Sequence, residues 1–291
     1  MKAIQNLIDI SRYYGCDNRF VIAGGGNTSY KNDEKIWVKA SGSSLAPITE
    51  DGFAVLEREK LSRMSEKVYS SDATEREEQV KNDLADATVT KGKRPSVETS
   101  MHNIIGYAYV VHLHPTLVNG LMCAEDAEKE LFRLFGENNV YVPYTDPGYV
   151  LFKKVEEKIN AYKLKYKEEP QLIWLQNHGI FVAANTTAEI KQIYTDIIET
   201  LEKAVTIQLP SGDRPYCSCT ELILPGLRMM LSKEGLKTLK VRKNKLIKFF
   251  YDSETEQRNI ARPYTPDAIV YCKSNYIFLN EENPEAVLIE A

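Results

Sequence analysis

Tyr107-Ala108-Tyr109-Val110-Val111-His112-Leu113-His114-Pro115 reads as a buried β-strand whose tip carries two imidazoles. Side chains two apart in a strand leave by the same face, so His112 and His114 can reach one ion together. A second apolar run, Leu172-Ile173-Trp174-Leu175, leads into Asn177-His178-Gly179. Two strand ends offering three imidazoles leave a coordination position open to substrate, which is the pattern of catalytic rather than structural zinc. The fourth histidine, His102, stands four residues after Glu98 and would share its helical face; we expect it to support the site rather than to coordinate.

Working outward, the chain alternates helices and strands as an α/β layered domain does. A first helix carries Ile4, Leu7, Ile8 and Tyr14 on one stripe and closes at Gly15. The spacing predicts a short strand at Phe20-Val21-Ile22-Ala23 running into Gly24-Gly25-Gly26-Asn27-Thr28-Ser29, and another from Lys35 to Ala40 running into Ser41-Gly42-Ser43-Ser44. From Leu56 to Arg94 charge is dense and large apolar residues are few, so this stretch is expected to be a solvated surface elaboration. Pro95-Ser96 opens a helix from Val97 to about Gly106. Further helices are predicted at Glu125 to Phe135, Tyr149 to Tyr166 and Thr187 to Ile207, and strands at Val140 to Val142, Leu172 to Leu175 and Ile180 to Ala183. Turn formers cluster at Gln208-Leu209-Pro210-Ser211-Gly212-Asp213-Arg214-Pro215. They divide a domain of residues 1–207 from an extension of residues 208–291 expected to pack on it. In the extension a helix is predicted around Leu222 to Leu231, and strands near Leu246 to Phe250 and Ala268 to Tyr271.

The 291 residues are 43% hydrophobic, enough for a sizeable core, and disorder is excluded as the leading idea. No run of 18 apolar residues exists and Met1 to Tyr14 lacks the form of a signal peptide, so a cytoplasmic protein without a membrane partner is expected. A net charge of −4 argues against nucleic acid as the principal partner. Five cysteines do not make a disulfide framework and suit a reducing compartment. Cys217-Ser218-Cys219, the only close pair, reads as ordinary thiols.

Gly26-Asn27-Thr28-Ser29, Ala40-Ser41-Gly42, Pro95-Ser96-Val97-Glu98, His112-x-His114 and Asn177-His178-Gly179 stand in this order. Together they resemble the class II aldolase and adducin family, the group that includes L-fuculose-phosphate and L-rhamnulose-phosphate aldolases and a ribulose-phosphate 4-epimerase. The resemblance covers roughly residues 1 to 205. In the tail, Pro225-Gly226-Leu227, Tyr251-Asp252-Ser253-Glu254 and Tyr264-Thr265-Pro266-Asp267 look like the region after the aldolase half of bifunctional rhamnulose-phosphate aldolase/lactaldehyde dehydrogenases. The dehydrogenase half has no counterpart in these residues, so only the aldolase function is implied.

The resemblance implies a three-layer α/β/α class II aldolase-like fold, with a central, largely antiparallel sheet and a small C-terminal extension. It also implies a homotetramer acting on a sugar phosphate. By it, His112, His114 and His178 are ligands of one Zn²⁺ per subunit, a site that also accepts other divalent metals. Cleaving a ketose 1-phosphate leaves negative charge on an enediolate, and an ion held by neutral imidazoles keeps its charge to stabilise it. Glu98 takes the place of the family's acid/base, and Tyr144 that of a tyrosine serving the C4 oxygen from a neighbouring subunit. Gly26, Asn27, Ser41, Gly42 and Ser96 match the phosphate-binding positions, where glycine turns let backbone N–H groups approach an anion. Val97 departs from the pattern, since many members have a second serine there. A lysine Schiff-base mechanism would need a desolvated lysine, and Lys39 and its like carry no distinguishing context in the sequence. The activity implied is cleavage of a deoxyketose 1-phosphate, L-rhamnulose 1-phosphate before L-fuculose 1-phosphate. The rivals are a pentulose-phosphate 4-epimerase of the same family and a non-catalytic, adducin-like interaction protein.

Overall fold

In the computed structural model, residues 2–206, 210–213, 218–251, 257–258 and 260–273 are described. Seven strands form one sheet: β1 Asn27–Lys31, β2 Lys35–Lys39, β3 Phe53–Glu57, β4 Tyr109–Leu113, β5 Val140–Val142, β6 Leu172–Leu175 and β7 Gly179–Ala184. Their order is β3-β2-β1-β4-β7-β6-β5. Every pairing is antiparallel except β5 with β6. The central strands are buried along their whole length, which is why β4 reads as an unbroken apolar run rather than as an alternation.

Helices cover both faces, giving three layers. One face receives α1 Lys2–Gly15, α5 Thr116–Met122, α6 Ala127–Phe135 and α8 Thr187–Ala204. Leu7, Ile10, Val118, Leu131, Ile190 and Tyr194 meet Val111, Leu113, Trp174 and Val182 there. In α8 the buried residues are Ile190, Tyr194, Ile197 and Leu201, the 3–4 spacing of a single stripe. Its start is set by a capping box, in which Thr186 accepts from the Glu189 amide and the Glu189 side chain accepts from Thr186. The other face receives α2 Arg58–Glu66, α3 Ala73–Ala87, α4 Thr99–Ile104 and α7 Tyr149–Tyr166. Met101, Phe152, Val155 and Ile159 pack there on Val110, Ile173, Leu175 and Phe181.

Three expectations need correcting. The run Phe20 to Ala23 is not a strand: Phe20 and Val21 are buried, but their amides close turns onto the Asp17 carbonyl, and the Gly25 amide closes another onto Ile22. Four residues before three glycines find no partner strand, and the strand begins instead at Asn27. The charged stretch from Leu56 to Arg94 is not a mere surface elaboration. Leu61 and Met64 of α2 with Val80, Leu84 and Ala87 of α3 bury a narrow stripe against Ile36, Val38 and Leu56, and only the opposite faces are charged. Asp72 fixes the start of α3 by accepting from the Glu75 amide at 2.9 Å.

The third correction lies in the tail. Leu246 to Phe250 falls in α10 Lys245–Tyr251, where Asn244 Oδ1 accepts from the Ile247 amide at 2.7 Å and so caps a helix. Ala268–Cys272 is a π-helical turn rather than a strand. Short apolar runs do not distinguish helix from strand by period, and at residues 245–251 the Asn244 cap favours the helix. The helix expected near Leu222 to Leu231 is α9 Ser218–Leu231. By compactness the chain divides into two units, Met1–Val205 with Thr265–Asp267, and Thr206–Tyr264 with Ala268–Ala291. Cys217 and residues 252–256 lie outside the described residues. Among the described residues no helix is long and apolar enough to cross a membrane.

Candidate metal centre

Strand β4 places Val111 and Leu113 toward α1 and α8, and His112 toward α4, where its ring stacks on Phe181 with centroids 4.1 Å apart. His114 follows on the same side, just past the strand end. His178 sits in the turn between β6 and β7, a turn that Asn177 makes with a left-handed φ of 57°. At Gly179 a Cβ would stand 2.6 Å from His114 Cδ2 and would strike the Leu113 carbonyl, so only glycine lets β7 come this close to the end of β4.

The three Nε2 atoms converge. His112 Nε2 lies 3.0 Å from His114 Nε2 and 3.3 Å from His178 Nε2, close to the ~3.3 Å between ligands on a tetrahedral ion with metal–nitrogen bonds near 2.0–2.1 Å. Their far sides fix the tautomers. His112 Nδ1 donates to the Ile180 carbonyl at 3.1 Å and His114 Nδ1 to Asp267 Oδ2 at 2.7 Å. Each Nδ1 therefore holds the proton and each Nε2 presents a lone pair. Lone pairs facing at 3.0 Å repel unless a proton or cation lies between them, so this donor set fits a divalent ion. Among the described residues these three histidines form the one cluster with metal-ligand spacing.

Glu98, at the head of α4, completes the centre. Its Oε1 lies 3.2 Å from His112 Nε2 and 3.4 Å from His178 Nε2. Asn27, paired directly with His112 across β1 and β4, donates from Nδ2 to Glu98 Oε2 at 3.3 Å. Behind this row, Ser29 Oγ meets His102 Nδ1 at 2.8 Å, and Lys31 Nζ donates to the His102 carbonyl at 2.7 Å. His102 meets β1 through its Nδ1 and is not among the three clustered imidazoles. Desolvation pushes its pKa down to about 3.

The candidate phosphate positions divide between two turns. Gly26 and Asn27 precede and begin β1, so Asn27 is a strand residue and not part of a loop. Ser41 and Gly42 follow β2, and Ala40 bridges to Pro95. This bridge brings Ser41 to the segment before α4: the Ser41 amide donates to the Arg94 carbonyl at 2.8 Å and Arg94 Nη2 to Ser41 Oγ at 2.9 Å. Ser96 Oγ accepts from the Glu98 amide at 3.2 Å. Lys39, which the sequence left without context, is 7% exposed and donates to the carbonyls of Gly24 and Ser43, tying the two turns together. Burial lowers its pKa, against the attraction of Glu98 and Asp267. Val97 is exposed and lines a 520 Å³ cavity with Ser41, Arg94, Lys93, Tyr149 and Phe152. The imidazoles do not line that cavity.

Tyr144 is 61% exposed, and its hydroxyl donates to Asp146 Oδ1 at 3.2 Å rather than to any residue of the centre. Its loop is nonetheless anchored beside the centre: the Tyr144 amide donates to Gln176 Oε1 at 2.9 Å, and the Gln176 amide to the Val142 carbonyl at 3.0 Å. Sequence reasoning missed Lys39, Arg94 and Asp267. Ser29 and Lys31 were missed as well; a strand placed at 27–31 instead of 20–23 puts them on one face with Asn27 by its period of two.

The profile of the class II aldolase and adducin N-terminal domain matches residues 5–209. A curated relative in Bacillus subtilis (strain 168), described as the uncharacterized oxidoreductase YuxG, is 28% identical over 214 residues, 70% of this chain. The matched region spans only 30% of that relative's length. The solved N-terminal class II aldolase domain of a conserved Thermoplasma acidophilum protein is 26% identical, with a TM-score of 0.59 over 69% of this chain and 92% of its own. L-Fuculose-1-phosphate aldolase from Thermus thermophilus is 14% identical with a TM-score of 0.45 over 69% of this chain and 94% of its own, too remote to assign a substrate.

Proposed function

Since the chain belongs to the class II aldolase and adducin family, we propose that it is a zinc-dependent aldolase cleaving a deoxyketose 1-phosphate reversibly into dihydroxyacetone phosphate and an aldehyde. L-Rhamnulose 1-phosphate is the favoured substrate, with L-lactaldehyde as the aldehyde, and L-fuculose 1-phosphate is the next. The observation that carries this reading is the convergence of three Nε2 atoms, two of them tautomer-fixed, against the Glu98 carboxylate.

His112, His114 and His178 would hold the ion, which supplies Lewis acidity for the negative charge left when the carbon–carbon bond breaks. Glu98 moves a proton at the carbon that loses its bond, a task suited to a carboxylate within reach of the reacting atoms. Asn27 orients that carboxylate through its Nδ2. Gly26, Asn27, Ser41, Gly42 and Ser96 bind the phosphate, and Arg94 beside Ser41 adds positive charge where the Val97 position lacks a hydroxyl. Tyr144 exchanges a proton with the C4 oxygen at a site completed by a neighbouring subunit of a homotetramer, consistent with its exposure.

The test is a screen of ketose 1-phosphates with zinc-loaded wild type and Glu98→Ala, scoring release of dihydroxyacetone phosphate. The reading expects release by the wild type that the variant loses. No cleavage of any ketose 1-phosphate by folded, zinc-loaded protein overturns it. Epimerised pentulose phosphate without free aldehyde would replace it by the epimerase.

A further inference from the structure

Asp267 lies well beyond the matched domain, which ends at residue 209, yet its carboxylate is buried against His114. Asp267 Oδ2 stands 2.7 Å from His114 Nδ1, and the residue is 7% exposed. Opposite it, Gly25 leaves the space: a Cβ there would fall 2.6 Å from Asp267 Oδ1 and 2.8 Å from Oδ2. Gly25 has no positive φ, so its backbone does not demand glycine, and the carboxylate is what excludes a side chain. The sequence therefore makes room for Asp267 from one side while His114 binds it from the other.

From this juxtaposition we propose that Asp267 is a positioning residue for the metal, holding the His114 proton on Nδ1 and so aiming the Nε2 lone pair at the ion. The proposal rests on the metal reading of the three histidines. A carboxylate accepting from a ligand imidazole fixes the ring's rotation and tautomer and raises its basicity. His112 has a backbone carbonyl in this place and His114 has a charged group, so of these two ligands His114 is the one whose donor strength depends on a side chain. Loss of such a partner lowers metal affinity by roughly 10- to 100-fold. The ligand atoms come from the family domain and this support from a segment outside it.

The test is Zn²⁺ affinity, measured on the full chain by competition with a chromophoric chelator, with circular dichroism confirming the fold. Asp267→Ala is expected to weaken binding about 10- to 100-fold, and Asp267→Asn, which keeps a neutral acceptor, by less. Gly25→Ala, which leaves Asp267 in the chain but displaces its carboxylate, should weaken binding too and should add nothing in the Asp267→Ala background, as coupled sites do. In metal-free protein, long-range ¹H–¹⁵N correlation should show His114 as the Nδ1–H tautomer in wild type and not in Asp267→Ala. Wild-type affinity in Asp267→Ala, or in Gly25→Ala should the first variant not fold, overturns the proposal and leaves the metal reading standing. A wild type that binds no divalent ion overturns both.

Discussion

The two faces of strands β1 and β4 are built from alternate residues of the same ten positions, and they do opposite things. Thr28, Tyr30, Val111 and Leu113 turn toward α1 and α8, where Tyr14, Phe20 and Tyr194 make an aromatic cluster and Ser11 Oγ meets Thr28 Oγ1 at 2.7 Å. Asn27, Ser29, Lys31 and His112 turn the other way and bury polar groups, Asn27 and His112 against Glu98, Ser29 and Lys31 against His102. Burial of polar groups is unfavourable unless they are paired. The first face therefore supplies stability that the second spends on a site.

Substitutions on the two faces should separate rate from stability, and the largest effect belongs to the site face. Glu98→Gln is expected to lower dihydroxyacetone phosphate release by about 10²- to 10⁴-fold, while shifting the thermal midpoint less than any large truncation on the other face. A rate loss explained by unfolding would erase the distinction. On the apolar face, Trp174 is fully buried and donates from Nε1 to Asn139 Oδ1 at 3.0 Å. Trp174→Ala should cost about 3–5 kcal/mol in denaturant unfolding, with turnover per folded molecule unchanged.

A smaller effect tests the buried polar groups through pH. Burial holds His102 down to about pKa 3, so the folded protein refuses a proton that the unfolded chain accepts below about pH 6.5. Its contribution to stability is whole above that pH and is lost as pH falls toward 3, by at most about 1.4 kcal/mol per unit. In chelator, His102→Gln should flatten the curve of thermal midpoint against pH across that window; an unchanged slope would mean that His102 is not what makes the fold acid-sensitive. The smallest effect returns to the apolar face, where Tyr194 Oη donates to the Val111 carbonyl at 3.0 Å. Tyr194→Phe should lower unfolding free energy by about 1 kcal/mol and leave metal affinity as it was.

Much of this division was legible in the sequence, for physical reasons that differ by element. Helix α7 was readable to its ends because eighteen residues carry one repeating stripe, and the histidines were readable because imidazoles at strand tips have few structural uses. The first strand was misplaced because Phe20 to Ala23 is apolar for packing and not for pairing. The stripe of α2 and α3 was hidden by its narrowness amid charge. Asp267 was out of reach, because nothing local in Tyr264-Thr265-Pro266-Asp267 says that a residue 153 positions away is its partner.

Gln176 joins the loop that carries Tyr144 to the turn that carries His178, accepting from one with its side chain and following the other along the backbone. The linkage behaves as a mechanical pin. Displacing the loop at residues 143–148 therefore breaks the bond to Gln176 or carries the turn of His178 along with it.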